Sequence, residues 1–250
     1  MTKLISRAML LLAKRFPQAR LEELILRLIQ KRASSLPPDE SLRFLFRLDA
    51  ALYALQGPLA VAYGGGKHTK HRHTSYHDFF VARVGAGERV LDIGCGTGDV
   101  AYDLVTKSNA IVDGVDLNPA SIAEAKKRYT HPNLRFAVGD AKEVKPEKPY
   151  DVVLLSNVLE HLNGRPQFLR EIVRLTGAGR VFVRVPLFER DWRVPLKKEL
   201  GVEWRLDEDH KTEYTLDSFE SEISEASLRI KHLEVHWGEI WSELAAGPGK

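Results

Sequence analysis

Cysteine is almost absent: the chain has one, Cys95, in 250 residues. That excludes a disulfide framework and a cysteine-rich metal site, since both need several thiols at fixed spacing. Long apolar runs are missing too. No stretch approaches the roughly 18 residues needed to span a bilayer, and the longest near the start, Ala8 to Ala13, stops at Lys14-Arg15. A secretory leader would need a longer run and a small-residue cleavage site, so the expected location is the cytoplasm. Aromatics are scarce among the basic helices of the first third, which leaves no stacking platforms for RNA and argues against a nucleic-acid partner. What is present is ordinary globular usage, 44% hydrophobic and 28% charged, enough for one substantial core with an appendage.

Charge divides the chain. Residues 1–87 hold 14 Lys/Arg against 6 Asp/Glu, a net of +8, so with +3 overall the rest carries −5. Helical periodicity opens the basic part: Leu4, Ile5, Ala8, Met9, Leu11 and Leu12 share a face, and Pro17 ends the helix. A second helix is predicted from about Leu21 to Lys31, with Glu22 and Glu23 in its first turn and Lys31-Arg32 in its last, as the helix dipole favours. Ser35-Leu36-Pro37-Pro38 breaks the chain, and Asp39 to Leu55 reads as a third helix. The stripe Leu21, Leu24, Ile25, Leu28 and Ile29 suits packing against the rest of the chain or a second copy in a homodimer. The alternative is peripheral contact with an anionic membrane.

The most informative stretch is VLDIGCGTG, Val90 to Gly98. Val90, Leu91 and Ile93 read as a buried parallel strand, and Gly94, Gly96 and Gly98 let the main chain turn tightly and meet a ligand directly. A dinucleotide pattern would want its third glycine where Asp99 stands. With Asp92 before the turn and Asp99 after it, the site disfavours a diphosphate and suits a cationic ligand.

At these residues the chain resembles the class I S-adenosylmethionine-dependent methyltransferases, whose signature is an acid, a spacer and G-x-G-x-G. The resemblance runs from about Arg72 to Leu244 and implies S-adenosylmethionine as cofactor, held by Asp92, Gly94, Cys95, Gly96 and Gly98. It further implies Asp116, with Leu117, at the ribose, and Asp140, with Ala141, at the adenine. Asn157, Glu160 and His161 follow the fourth strand at the cofactor's edge. His161 is then the first candidate base, with Glu160 beside it. Quinone-biosynthesis members use a similar glutamate–histidine pair with a metal, but Asn157 stands where such a site would prefer an acid, so no metal is expected. Ser156-Asn157-Val158-Leu159 lacks the proline pair of nucleic-acid amino-methyltransferases.

Before the first strand, Gly64-Gly65-Gly66 precedes Lys67, His68, Lys70, His71, Arg72, His73 and His77, seven cationic or titratable groups in eleven positions. Zinc fits poorly beside so many cations and without cysteine or carboxylate ligands. The segment reads as a loop over the cofactor pocket, with His68, Lys70, His71, Arg72 and Tyr76 contacting an anionic or hydroxyl-rich acceptor.

The fold expectation is α/β: a Rossmann-like, seven-stranded, mostly parallel sheet with helices on both faces, plus an N-terminal helical extension. Strands are predicted near 89–93, 111–116, 134–138, 150–156 and 180–185, with a closing antiparallel pair, and helices at 99–107, 119–129, 165–175 and 216–226. The domain reading is 1–63 as helical extension, 64–87 as basic Gly/His-rich loop and linker helix, and 88–250 as methyltransferase domain. An insertion at 187–215 has the composition of a substrate lid, with Arg190, Trp192, His210 and Tyr214, next to Arg184 on strand five, as acceptor contacts. The acceptor is read as a small molecule or glycan methylated at oxygen, the glycan resting on a resemblance to polysaccharide-cluster methyltransferases. A lipid or quinone acceptor at a membrane and a non-catalytic scaffold are the alternatives.

Overall fold

The computed structural model describes residues 16–246. The helix expected over Leu4–Leu12 lies outside them. The chain forms two compact units, one taking in the residues up to Leu59 with Lys197–Glu203, the other Ala60–Leu196 with the residues from Trp204 on.

In the first unit, α1 (Gln18–Ala33) is followed by the start of α2 (Pro38–Tyr63). The apolar stripe of α1 is not a core stripe among the described residues: no α1 side chain is buried, and Leu24, Ile25 and Leu28 are exposed. The periodicity was correct but said nothing of what covers it. α2 runs eight residues past the expected Leu55 and carries Pro58 inside it, at the cost of one helical donor.

The second unit is built on a seven-stranded sheet in the order β3-β2-β1-β4-β5-β7-β6. The strands are β1 (Arg89–Ile93), β2 (Ile111–Asp116), β3 (Leu134–Val138), β4 (Val152–Ser156), β5 (Arg180–Pro186), β6 (Leu228–His236) and β7 (Glu239–Ala246). The first five are parallel, and β7 runs antiparallel between β5 and β6. The expected Rossmann-like sheet is present. Alternation along β1 divides the core: Leu91 and Ile93 face the cluster of Leu155, Leu169 and Phe219, while Val90 faces that of Leu104, Ile122 and Phe182. Asp92 shares a face with Val90 by the same alternation.

The helices start where the sequence caps them. Asn118 accepts from Ala120 N at the head of α6 (Pro119–Arg128), and Thr215 and Ser218 form a capping box on α9 (Leu216–Glu225). Between them lie α7 (Arg165–Thr176) and α8 (Arg193–Glu199), and α5 (Asp99–Lys107) follows β1 directly. The basic segment before β1 is not a loop. After a turn in which Gly65 and Gly66 take φ +66° and +96°, it folds into α3 (Lys70–Thr74) and α4 (Tyr76–Val81), hinged at Ser75 with φ 51°. Tyr76, Phe79 and Phe80 of α4 are buried, which anchors the segment. No helix among the described residues is long and apolar enough to cross a membrane.

Candidate active site

β1 has β2 on one side and β4 on the other, so the chain reverses its winding there, and a crevice opens beyond the strand ends. The glycine turn forms its floor. Gly94 and Cys95 both donate N–H to Val115 O at 2.8 and 3.1 Å, which ties the turn to β2. Gly94 and Gly98 have no room for a side chain: a Cβ would lie 2.7 Å from Val158 Cγ2 and 2.5 Å from Phe136 Cζ, respectively. Gly96 differs. At φ +53° its Cβ position has nothing within 4 Å, so this glycine presents bare backbone to open space. Cys95 packs beneath, where a Cβ on Gly114 would come within 2.9 Å of its sulfur, and burial raises its thiol out of reactive range.

Carboxylates surround this turn. Asp116 Oδ2 accepts from Gly96 N at 2.9 Å and Oδ1 from Asn118 N at 2.8 Å, leaving a lone pair on each oxygen for further donors. Asp92 is buried, and its Oδ2 has no hydrogen-bond partner among the described residues. Burial, then the nearby Asp116, push its carboxyl up to about 8. An unpartnered buried acid of this kind is costly alone and becomes favourable when a cation or donor arrives. Asn157, at φ 58°, leaves its Oδ1 buried and unpartnered as well. Asp140 accepts from Lys142 N at the end of β3, Ala141 beside it is buried, and Leu117 is exposed at the end of β2. These groups fit an adenosine ligand carrying a positive amino acid moiety.

Asp99 is not available to such a ligand. It accepts from Thr97 Oγ1, Tyr129 OH and both Arg128 terminal nitrogens at 2.6 to 3.1 Å. Burial would raise its carboxyl, but these bonds outweigh it and hold it below the usual range.

Above the turn is a cleft of about 220 Å³, lined by Asp92, Gly94, Gly96, Ser156, Asn157 and Arg184 from the strands and the loops after them and by Lys70, His71 and Tyr76 from α3 and α4. Four of the expected acceptor residues therefore meet the predicted cofactor residues. Arg184 has little freedom: it forms a two-point pair with Glu239 at 2.5 and 2.6 Å, donates to Ser156 Oγ at 3.2 Å, and lies 3.8 Å over the Tyr76 ring. It positions Tyr76 more than it offers itself. Burial, then Arg184, lower the Lys70 ammonium. His71 Nδ1 lies 2.9 Å from His77 Nε2, and His77 Nδ1 lies 2.8 Å from Asp103 on α5. The sequence shows His77 among its neighbours, but Asp103 is 26 residues further on and carries no signal of its own.

The other expected acceptor residues do not line this cleft. His68 Nδ1 accepts from Lys70 N, and Arg72 lies over the Tyr63 ring. Within the insertion, Tyr214 belongs to the core and donates its hydroxyl to Glu222, and His210 is buried against Glu213. Arg190 pairs with Glu213 and donates to Leu187 O and Trp204 O. These three hold the insertion together rather than face a ligand. Trp192 is exposed.

His161 and Glu160 are also displaced from the expected place. They sit on a 3-10 turn, Leu159–His161, past the end of β4 and do not line the cleft. His161 Nδ1 lies 3.0 Å from Asp209, and its ring meets His210 edge-on at 4.6 Å. Glu160 is fully buried with both carboxylate oxygens unpartnered among the described residues, and burial pushes it up to about 8. Ligand atoms of Glu160, His161 and His210 lie within 4.8 Å of one another, a set able to hold a divalent cation. No metal is expected from the sequence because Asn157 stands where the Glu160–His161 pair would want a further acid; here the third member of the set is instead His210, 49 residues beyond His161.

Comparison with known proteins agrees with this geometry. Residues 90–179 match the family described as "Methyltransferase domain". The chain is 30% identical over 121 residues to the ubiquinone biosynthesis O-methyltransferase of Rhodopseudomonas palustris, covering 48% of this chain and 47% of that protein. It is 34% identical over 110 residues to the trans-aconitate 2-methyltransferase of Methylobacterium nodulans, covering 42% of each. Among solved structures, the magnesium protoporphyrin IX methyltransferase of Synechocystis with bound S-adenosylhomocysteine superposes with a TM-score of 0.56 at 17% identity, over 70% of this chain and 84% of that one. The chain thus spans under half the length of those two curated relatives. Residues 90–179 are therefore a methyltransferase domain, and the acid and glycine turn of Asp92–Gly98 at the end of β1 together with the sheet order fit the class I S-adenosylmethionine-dependent type.

Proposed function

We propose that the chain transfers a methyl group from S-adenosylmethionine to an oxygen of a small molecule. The observation that carries this reading is the buried, unpartnered Asp92 carboxylate beneath the open Gly96 turn, with the fixed Asp116 alongside. When bound, the cofactor supplies a methyl group on a positive sulfur, so transfer is an in-line displacement. The chain's own contribution is mainly position: Gly96 admits the ligand against backbone, Asp92 meets its positive end, and Asp116 grips the ribose hydroxyls. Tyr76, held by the Arg184 guanidinium, and Lys70 form the opposite wall, where the acceptor is held close and aligned. His161, outside the cleft, takes no part in this reading.

The experiment is transfer of label from S-adenosylmethionine to metabolite extracts by the full chain. Label in a small polar compound, either as a methyl ether stable to alkali or as a methyl ester from which alkali releases labelled methanol, supports the reading; within that outcome a sugar product would favour a glycan acceptor. Cofactor binding with no label transferred would favour a non-catalytic scaffold and overturn it.

One observation favours a second reading, a lipid or quinone acceptor at a membrane surface. The stripe of Leu24, Ile25 and Leu28 on α1 is exposed beside Arg27, Lys31 and Arg32. On this reading the full chain floats with anionic vesicles at low salt and is released as salt screens the contact, whereas a chain lacking residues 1–35 stays in solution. No flotation at low salt would remove it.

A further inference from the structure

Three side chains form a hydrogen-bonded line from α5 to the cleft. Asp103 accepts from His77 Nδ1 at 2.8 Å, and His77 Nε2 lies 2.9 Å from His71 Nδ1. His77 is buried, while the line as a whole borders a second, open pocket of about 250 Å³ that His71, Asp103 and Lys107 also line. Its polarity follows from its far end. Burial alone would raise the Asp103 carboxyl, but bonds from His77 and from Lys107, whose Nζ is 2.9 Å away, outweigh it and hold it down to about 2. Asp103 is therefore a carboxylate and can only accept. His77 must then carry a proton on Nδ1, and with that single proton its Nε2 is bare. That nitrogen accepts from His71 Nδ1–H, which Tyr76 OH approaches at 3.2 Å from the side. The remaining nitrogen, His71 Nε2, is left with a free lone pair. It has no hydrogen-bond partner among the described residues, and His71 lines the cleft together with Asp92, Gly96 and Asn157.

We propose that His71 is the base that takes the proton from the acceptor hydroxyl, with His77 and Asp103 as the residues that position it. This deepens the O-methyltransferase reading and rests on it. In the step, the acceptor O–H bond breaks and its proton goes to His71 Nε2. The electron pair stays on the acceptor oxygen, which bonds to the methyl carbon as the methyl–sulfur bond breaks and its pair goes to sulfur, leaving a neutral thioether. The His71 imidazolium keeps its Nδ1–H on His77, where the Asp103 charge stabilises it, and then gives the Nε2 proton to water.

The surroundings keep His71 uncharged until that moment. Burial pushes it down to about 4, with Lys70 and Arg184 acting in the same direction and Asp99 opposing, and His77 adds to this only when it carries a second proton. Tyr76 stays protonated, because burial raises its phenol. His161, the base expected from the sequence, has no comparable line behind it: its partner Asp209 is exposed.

The test uses the full chain with ¹⁵N-labelled histidine side chains, with and without S-adenosylhomocysteine. Long-range proton–nitrogen spectra at neutral pH should show His71 protonated on Nδ1 and bare on Nε2, with no imidazolium until the pH falls toward about 4. In Asp103→Asn the carboxamide can donate to His77 Nδ1, so the order of protons reverses and His71 carries its proton on Nε2. A parent protein with Nε2 protonated, or an unchanged tautomer in Asp103→Asn, would overturn the proposal. With an acceptor found by label transfer, His71→Asn should lower kcat by about 10²–10⁴ while S-adenosylhomocysteine affinity stays within about twofold. Unchanged kcat would also overturn it. Failure of the parent to bind S-adenosylhomocysteine would instead count against the methyltransferase reading, since the tautomers are read independently of that ligand.

Discussion

Replacing Glu160 with Gln should stabilise the chain at neutral pH and flatten the pH dependence of its stability. The carboxyl is fully enclosed, both oxygens lack partners among the described residues, and burial moves it from 4.5 to about 8. A raised acid favours the folded state while protonated. Its contribution is therefore fully present below the unfolded value and is lost as pH rises from about 4.5 to about 8. At pH 7 the chain sits about 2.5 units above the unfolded value, and at 1.36 kcal/mol per unit this costs about 3 kcal/mol as an upper figure. Glutamine keeps the shape and has no proton to lose. Its amide must still be buried, which returns about 1–3 kcal/mol of that gain, so the pH dependence is the sharper reading. Urea unfolding of parent and Glu160→Gln in the presence of a chelator, at about pH 5 and about pH 7.5, measures it: the parent should lose up to about 3 kcal/mol relative to the variant between the two. Parallel pH profiles would refute the burial argument and mean that Glu160 finds a partner or water in solution.

Asp92→Asn should likewise raise stability at neutral pH, because its carboxyl is also pushed up to about 8, but it should weaken S-adenosylhomocysteine binding measured by calorimetry. Leu104→Ala, in the core behind β1, should cost about 2–5 kcal/mol in thermal or urea unfolding. Leu28→Ala on the exposed α1 stripe should stay within about 0.5 kcal/mol. His161→Ala should leave the rate of methyl transfer within a few-fold of the parent, since His161 is outside the cleft; a loss of about 10²–10⁴ would restore it as the base.

Much of the fold was legible because its signals are local. Val90–Ile93, apolar except for Asp92, and the apolar Val152–Leu155 are short runs ended by glycine or a polar residue, and Asn118-Pro119 marks a helix start within two positions. The turn residues Gly94 to Gly98 and the acids at the ends of β1, β2 and β3 fell into place for the same reason. What the sequence hid depends on distant pairing. Arg190, His210 and Tyr214 have the chemistry of ligand contacts, yet Glu213 and Glu222 claim them. Asp99 looked like a free negative charge until Arg128, 29 residues away, closed on it. The basic segment looked irregular because its glycines and histidines disfavour helix, while its order comes from burying Tyr76, Phe79 and Phe80. The role proposed for His71 was out of reach because Asp103 comes next to His77 only when α4 packs on α5.

The most direct test of the central claim is calorimetric titration of the full chain with S-adenosylhomocysteine, repeated with Asp116→Ala and with NAD as competitor ligand. The account predicts one-to-one binding by the parent, a loss of about 2–3 kcal/mol in Asp116→Ala with the fold intact, and no binding of NAD. Equal affinity in the parent and the variant, or tight binding of NAD in place of S-adenosylhomocysteine, would contradict it.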